Sequence, residues 1–173
     1  MRVLKYFKFY KIYKFYKFFF FSHLEKKLFW KALFWLAFSK WAIPNFSFKK
    51  LQKYLGQAFD QEFDQEFDQE PSQRSLENKN LNSKKLKQVK IAIARARKVL
   101  PFHCQCLVTA ICARKLLKDL GCQPKLYLGV AKEKELDSQK KSAGLMAHAW
   151  VKLGDEMVIG QSEINFTVVK IFA

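Results

Sequence analysis

Cysteine is missing from the first 103 residues, and the four that follow, Cys104, Cys106, Cys112 and Cys122, form no CxxC pair joined to a second such pair or to a His pair. A structural zinc site is therefore poorly supported, and neither a metal nor a cofactor is expected. A disulfide framework is equally unsupported, because nothing resembles a cleavable secretory signal. The thiols read as reduced and the protein as cytoplasmic. Acidic residues are almost missing from the N-terminal third, where residues 1–58 carry one acid against 13 bases. Long apolar runs are missing too. The longest uncharged stretch of the most apolar segment, Ala32 to Ser39, falls far short of the roughly 20 residues that span a bilayer. A transmembrane segment is rejected on that ground.

What is present is unevenly distributed. Of the 32 Lys and Arg and 28 aromatic residues, residues 1–58 hold 13 and 20. Residues 59–70 hold six acids and no base, residues 71–100 nine bases and one acid, and residues 101–173 ten bases and seven acids. The C-terminal part thus has ordinary globular composition, and its task differs from that of the basic part. The length of 173 residues suits one folding unit with appended segments.

Four segments follow from the pattern. Residues 1–22 are a low-complexity aromatic and lysine tract, with Lys at 5, 8, 11, 14 and 17. That period makes no clean charged face on a helix. The tract reads either as a membrane-surface anchor or as an expanded tract without a fixed role. Residues 23–58 are helical, with a charged-then-apolar helix over 24–43 that Pro44 ends. This helix reads as part of the core, with a partner surface or a shallow membrane contact as the alternative. Residues 59–82 form a linker containing three copies of FDQE, too short a period for a repeat architecture. Residues 83–173 form the folded core. Its first helix, capped by Ser83 and stopped by Pro101, carries an apolar stripe of Leu86, Val89, Ile93, Ala96 and Leu100. The bases around it, Lys87, Lys90, Arg95, Arg97 and Lys98, could meet phosphates but are explained as a solvated face, and no nucleic acid is expected.

Chemistry concentrates after Pro101. CQCLVTAICARKLLKDL, from Cys104 to Leu120, reads as a helix with Cys106, Ala110, Ala113, Leu117 and Leu120 on one stripe. Arg114, Lys115, Lys118 and Asp119 turn outward on this reading, and Gly121 stops the helix. Cys106 lies in the first turn, where open N–H groups and the helix dipole favour a thiolate. Cys104 is the rival nucleophile, on the entering loop. Cys112 and Cys122 look structural, and His23 and His103 incidental. Strands follow at KLYLGVAK (125–132), MAHAWVKL (146–153), EMVIG (156–160) and FTVVKIF (166–172). The expected fold is α+β: N-terminal helices, then a nucleophile-bearing helix packed on a small antiparallel sheet whose second strand carries His148.

These residues carry a resemblance. The ordered set of Cys106 and Leu107, then Leu116, Leu117 and Gly121, then Gly129 and Val130, then His148, Ala149 and Trp150, resembles the B proteins of lasso peptide biosynthesis. These are leader peptidases of the transglutaminase-like, papain-like cysteine protease superfamily. LEKKLFWKALFWLAFSKWAIPNFSFKKLQKYLG is similar to the segment that opens stand-alone members. The resemblance implies a cysteine protease that removes the leader of a ribosomally made precursor peptide before an ATP-dependent cyclase closes the macrolactam. It also implies a leader-recognition domain supplied as a separate protein, because residues 1–58 contain no convincing strands.

On that resemblance Cys106 is the nucleophile and His148 its base, with helix-start N–H groups and the Gln105 side chain facing the oxyanion. The family's orienting Asp, about a dozen residues past the His, has no counterpart, since that neighbourhood reads Ile159, Gly160, Gln161. Gln161 comes first as the third member, with Asp155, a turn residue, and Glu163 as alternatives. Two other readings stay open. One is an inactive basic adaptor of the same fold docking on a membrane or anionic partner through residues 1–58. The other is acyl transfer to an amine by the same Cys and His.

Overall fold

A computed structural model describes residues 22–55, 58–59, 73–132 and 144–173. The aromatic-lysine tract up to residue 21, the FDQE copies from residue 60 and the polar loop before Gly144 lie outside the described residues. Ser22 begins the first described segment. Its Oγ accepts from the Glu25 amide and Glu25 Oε2 accepts from the Ser22 amide, both at 3.3 Å. This capping box fills two of the donors that a helix start leaves open. Helix α1, His23–Asn45, follows. Pro44 sits inside its last turn and does not end it at 43. The missing N–H removes a single bond, and the Phe46 amide still donates to Ala42 O at 2.9 Å before the extended Phe46 closes the helix.

Helix α2, Phe48–Leu55, buries Leu51 and Leu55. It leads to a two-residue strand β1, Ala58–Phe59. This strand straddles the boundary between the helical segment ending at residue 58 and the expected linker beginning at residue 59. Two residues are too few to show alternation, and their pairing with the chain's far end decides them. Helix α3 spans Gln73–Val99, so Ser83 is interior and does not cap it, and residues 73–82 are helix where a linker was expected. The sequence contains no Gly or Pro between Pro71 and Pro101 to stop a helix, and its polar first turns lack the apolar period that reveals one. The expected stripe is in place, with Leu86, Val89, Ile93 and Ala96 buried. Two of its bases have intramolecular partners: Arg95 pairs with Glu25 at 3.5 Å and Lys90 Nζ donates to Met157 O at 2.8 Å.

Helix α4, Cys106–Asp119, is the centre of the molecule. Helices α1 and α3 pack on one side of it and the sheet on the other. Its burial extends around the helix: Val108, Ile111, Cys112, Leu116 and Leu117 are as closed as Ala110 and Ala113. A helix apolar on most sides is one covered on most sides. Arg114, expected outside, is 2 % exposed, while Lys115 reaches out over the Trp35 ring and Lys31 pairs with Asp119. Gly121 takes φ +75°, the left-handed stop expected there.

Strands β2 (Lys125–Lys132), β3 (Leu145–Leu153), β4 (Glu156–Ile159) and β5 (Thr167–Phe172) complete an antiparallel sheet of order β1-β5-β2-β3-β4. It has five strands, β1 being the one not foreseen. Alternation divides the two faces. Leu126, Leu128, Ala149, Val151, Val158 and Phe172 join the core with the helices. Tyr127 and Trp150, paired across β2 and β3, stack on the other face with His148 and Phe166.

Candidate active site

His148 sits directly opposite Gly129 in the β2–β3 ladder. The glycine is required by its neighbours: a Cβ there would come within 2.8 Å of the Trp150 ring and 2.9 Å of Thr167 O. Trp150 thus lies over a strand without a side chain and stacks on Tyr127 at 5.6 Å. The imidazole stacks at 4.8 Å on Phe166 and at 6.0 Å on Trp150, which leaves its ring plane little freedom. Its Nε2 lies 2.9 Å from Gly160 O. A carbonyl can only accept, so Nε2 donates to it, and in the neutral tautomer that this bond selects the lone pair is on Nδ1.

Gly160 is the residue that sequence reasoning missed in this role. It stands twelve residues past His148, the distance at which the family resemblance calls for an Asp. Its φ of +86° and the 2.7 Å approach of a hypothetical Cβ to Ala149 O and to Trp150 Cβ admit only glycine. A residue without a side chain can orient an imidazole only through its backbone, and the carbonyl does so. The signal was the glycine itself, at the expected spacing. Gln161, Asp155 and Glu163 are all exposed, and the hydrogen bond at His148 is made by Gly160. Asp155 lies in the β3–β4 turn.

Cys106 is the first residue of α4, and its predecessor Gln105 makes no side-chain capping bond. The Gln105 carbonyl accepts from the Thr109 amide at 3.1 Å and from Thr109 Oγ1 at 2.9 Å, which secures the first turn. The Gln105 side chain is exposed. No capping side chain takes up the N–H groups at the helix start, so they remain available to a developing negative charge. The other thiols are closed off. Burial raises the Cys104 pKa against the pull of Arg97 and Lys40. Burial also raises Cys112, whose Sγ donates to Ala32 O, and Cys122, whose Sγ donates to Asn82 Oδ1. Cys106 alone is half-buried.

The structure gathers His148, Gly160, Trp150 and Phe166 around a cleft of about 210 Å³, with Lys152 and Asn165 among its other walls. Cys106 packs against the helix-side core. No hydrogen bond joins it to His148 among the described residues. Nor do three His, Cys, Asp or Glu side chains gather as a metal site among them.

A cysteine opening a helix that lies on an antiparallel sheet, with a histidine on a strand of that sheet, is the α+β layout of a cysteine-protease-like fold. The chain belongs to the transglutaminase-like superfamily, whose family model matches residues 60–170 and so includes both Cys106 and His148. That superfamily includes cysteine peptidases and transglutaminases. No curated protein and no solved structure matches the chain.

Proposed function

We propose that the protein is a cysteine peptidase that removes the leader of a ribosomally made lasso precursor peptide. A separate protein would present the leader, and an ATP-dependent cyclase would then close the macrolactam. This reading requires the His148 ring, which stacks on the sheet face away from the helices, to come within reach of Cys106 on the helix side. Nδ1 then takes the Cys106 proton, and the thiolate attacks the scissile carbonyl. The oxyanion is met by N–H groups at the start of α4. The imidazolium gives its proton to the departing amine, leaving a thioester. Water, deprotonated by His148, releases the carboxylate and restores the thiol. Gly160 O keeps the imidazole in the required tautomer, the role a carboxylate has in a conventional triad.

The observation that carries this reading is the contrast among the thiols. Only Cys106 combines partial exposure with an uncapped helix start. The inactive adaptor of the same fold is the second reading. It is favoured by the position of His148 on the sheet face that bears Trp150, while Ala149 and Val151 turn to the helices.

Incubation of the chain with the precursor and the recognition protein, followed by peptide mass, decides between them. Cys106→Ala should lower the rate at least about a thousandfold, His148→Ala should do the same, and Cys104→Ala should leave most activity. Intact precursor under every condition would overturn the peptidase reading and favour the adaptor. A product joined to an added amine instead of water would mark acyl transfer.

A further inference from the structure

The outer face of α1 is apolar where a surface helix is ordinarily polar. Leu28, Ala32, Leu36 and Ser39 face the core. At about 100° per residue, Lys27, Trp30, Phe34 and Trp41 fall on the opposite side. Trp30 is 62 % exposed, Phe34 61 % and Trp41 55 %. The aromatic row is continuous, because Phe34 stacks on Phe38 at 6.0 Å and Trp41 follows Phe38 at 6.1 Å. Large aromatics grouped on one exposed face, with Lys27 on the same side, mark a contact surface.

Charge identifies the occupant. Residues 22–55 carry seven lysines and one acid, Glu25, and Arg95 already pairs with that acid. Lys27, Lys49 and Lys50 are exposed. Trp and Phe between lysines match a bilayer interface, where rings enter the headgroup boundary and ammonium groups meet anionic phosphates. At 1.5 Å per residue the 23-residue α1 is about 35 Å long, and no described helix is long and apolar enough to cross a membrane. The geometry fits a helix lying in the interface plane.

We propose that the Trp30–Phe34–Trp41 face of α1 docks the protein on an anionic lipid surface, with the core helices and the sheet held on the side away from it. The inference is independent of the thiol chemistry, so Cys106→Ala should bind lipid as the parent does.

The test is sedimentation of the full chain with vesicles of phosphatidylcholine alone and of phosphatidylcholine mixed with phosphatidylglycerol, alongside tryptophan emission. Binding to the mixed vesicles only, weakening with added salt and accompanied by a blue shift, is expected. The triple variant Trp30→Gln, Phe34→Gln, Trp41→Gln, with residues 1–21 intact, should lose about tenfold or more in apparent affinity while its far-ultraviolet circular dichroism is unchanged. The single variant Trp41→Gln provides a milder change should the triple variant unfold, and should also bind more weakly. Unchanged binding in the face variants would assign any lipid affinity to residues 1–21 and overturn the proposal. Concentration-dependent self-association without vesicle binding would overturn it too, by placing a second copy on the face.

Discussion

His148 and Gly160 show how one backbone atom can stand where a carboxylate is expected. The carbonyl accepts a hydrogen bond but adds no negative charge, so in the proposed reaction an imidazolium would gain less stabilisation than beside Asp. Gly160→Ala should be expensive, because the residue has a left-handed φ and its Cβ would overlap Ala149 O. We expect a loss of about 1–3 kcal/mol in urea unfolding, together with a changed pH profile for peptide cleavage as His148 loses its anchor. The thiols yield a second outcome. Cys106 should react with a maleimide in the native state, and Cys104, Cys112 and Cys122 only on unfolding, as mass mapping of labelled peptides would show. Because burial raises the latter three pKa values, the unfolded state releases those protons first. Their contribution to stability is complete below the ordinary thiol range, about 8.5, and declines as pH climbs past it. The helix start at Cys106 and the strand that bears His148 were legible from their spacing. The orienting atom was not, since side-chain chemistry alone cannot reveal a backbone acceptor.

At the scale of elements, α4 shows most clearly where pattern and packing part. The spacing of Ala110, Ala113 and Leu117 identified a buried stripe, and Gly121 identified the stop. Arg114 was assigned to the outside because a lone charge in a helix usually faces water. The enclosure of α4 by α1, α3 and the sheet closes over it instead, leaving Nε and Nη2 without a hydrogen-bond partner among the described residues and the guanidinium pKa lowered by desolvation. Buried donors without acceptors cost about 1–3 kcal/mol, so Arg114→Met should raise stability by an amount of that order, read as a higher urea midpoint. A drop would show that the guanidinium has a partner that the described residues lack. The early start of α3 is the opposite case. Its first ten residues, from Gln73 to Asn82, are too polar to reveal a period, and only the absence of breakers hints at them.

For the whole molecule, the decisive contact joins distant parts of the chain. Strand β5 ends the sequence yet lies inside the sheet, between β1 and β2, and Phe172 is fully buried beside the helix layer. Phe172→Ala should therefore cost about 3–5 kcal/mol, measurable by thermal or urea unfolding, although the position is next to the last residue. Composition and periodicity by themselves determined the α+β class, the helix that begins at Cys106, the four longer strands and the concentration of positive charge before residue 58. Each of these follows from local patterns of apolar, charged and turn-forming residues. Only the tertiary structure decided the fifth strand, the enclosure of Arg114, the outward aromatic face of α1 and the carbonyl that holds His148. These depend on which surfaces meet across long separations in the chain, and neither a sequence period nor a residue type specifies that meeting.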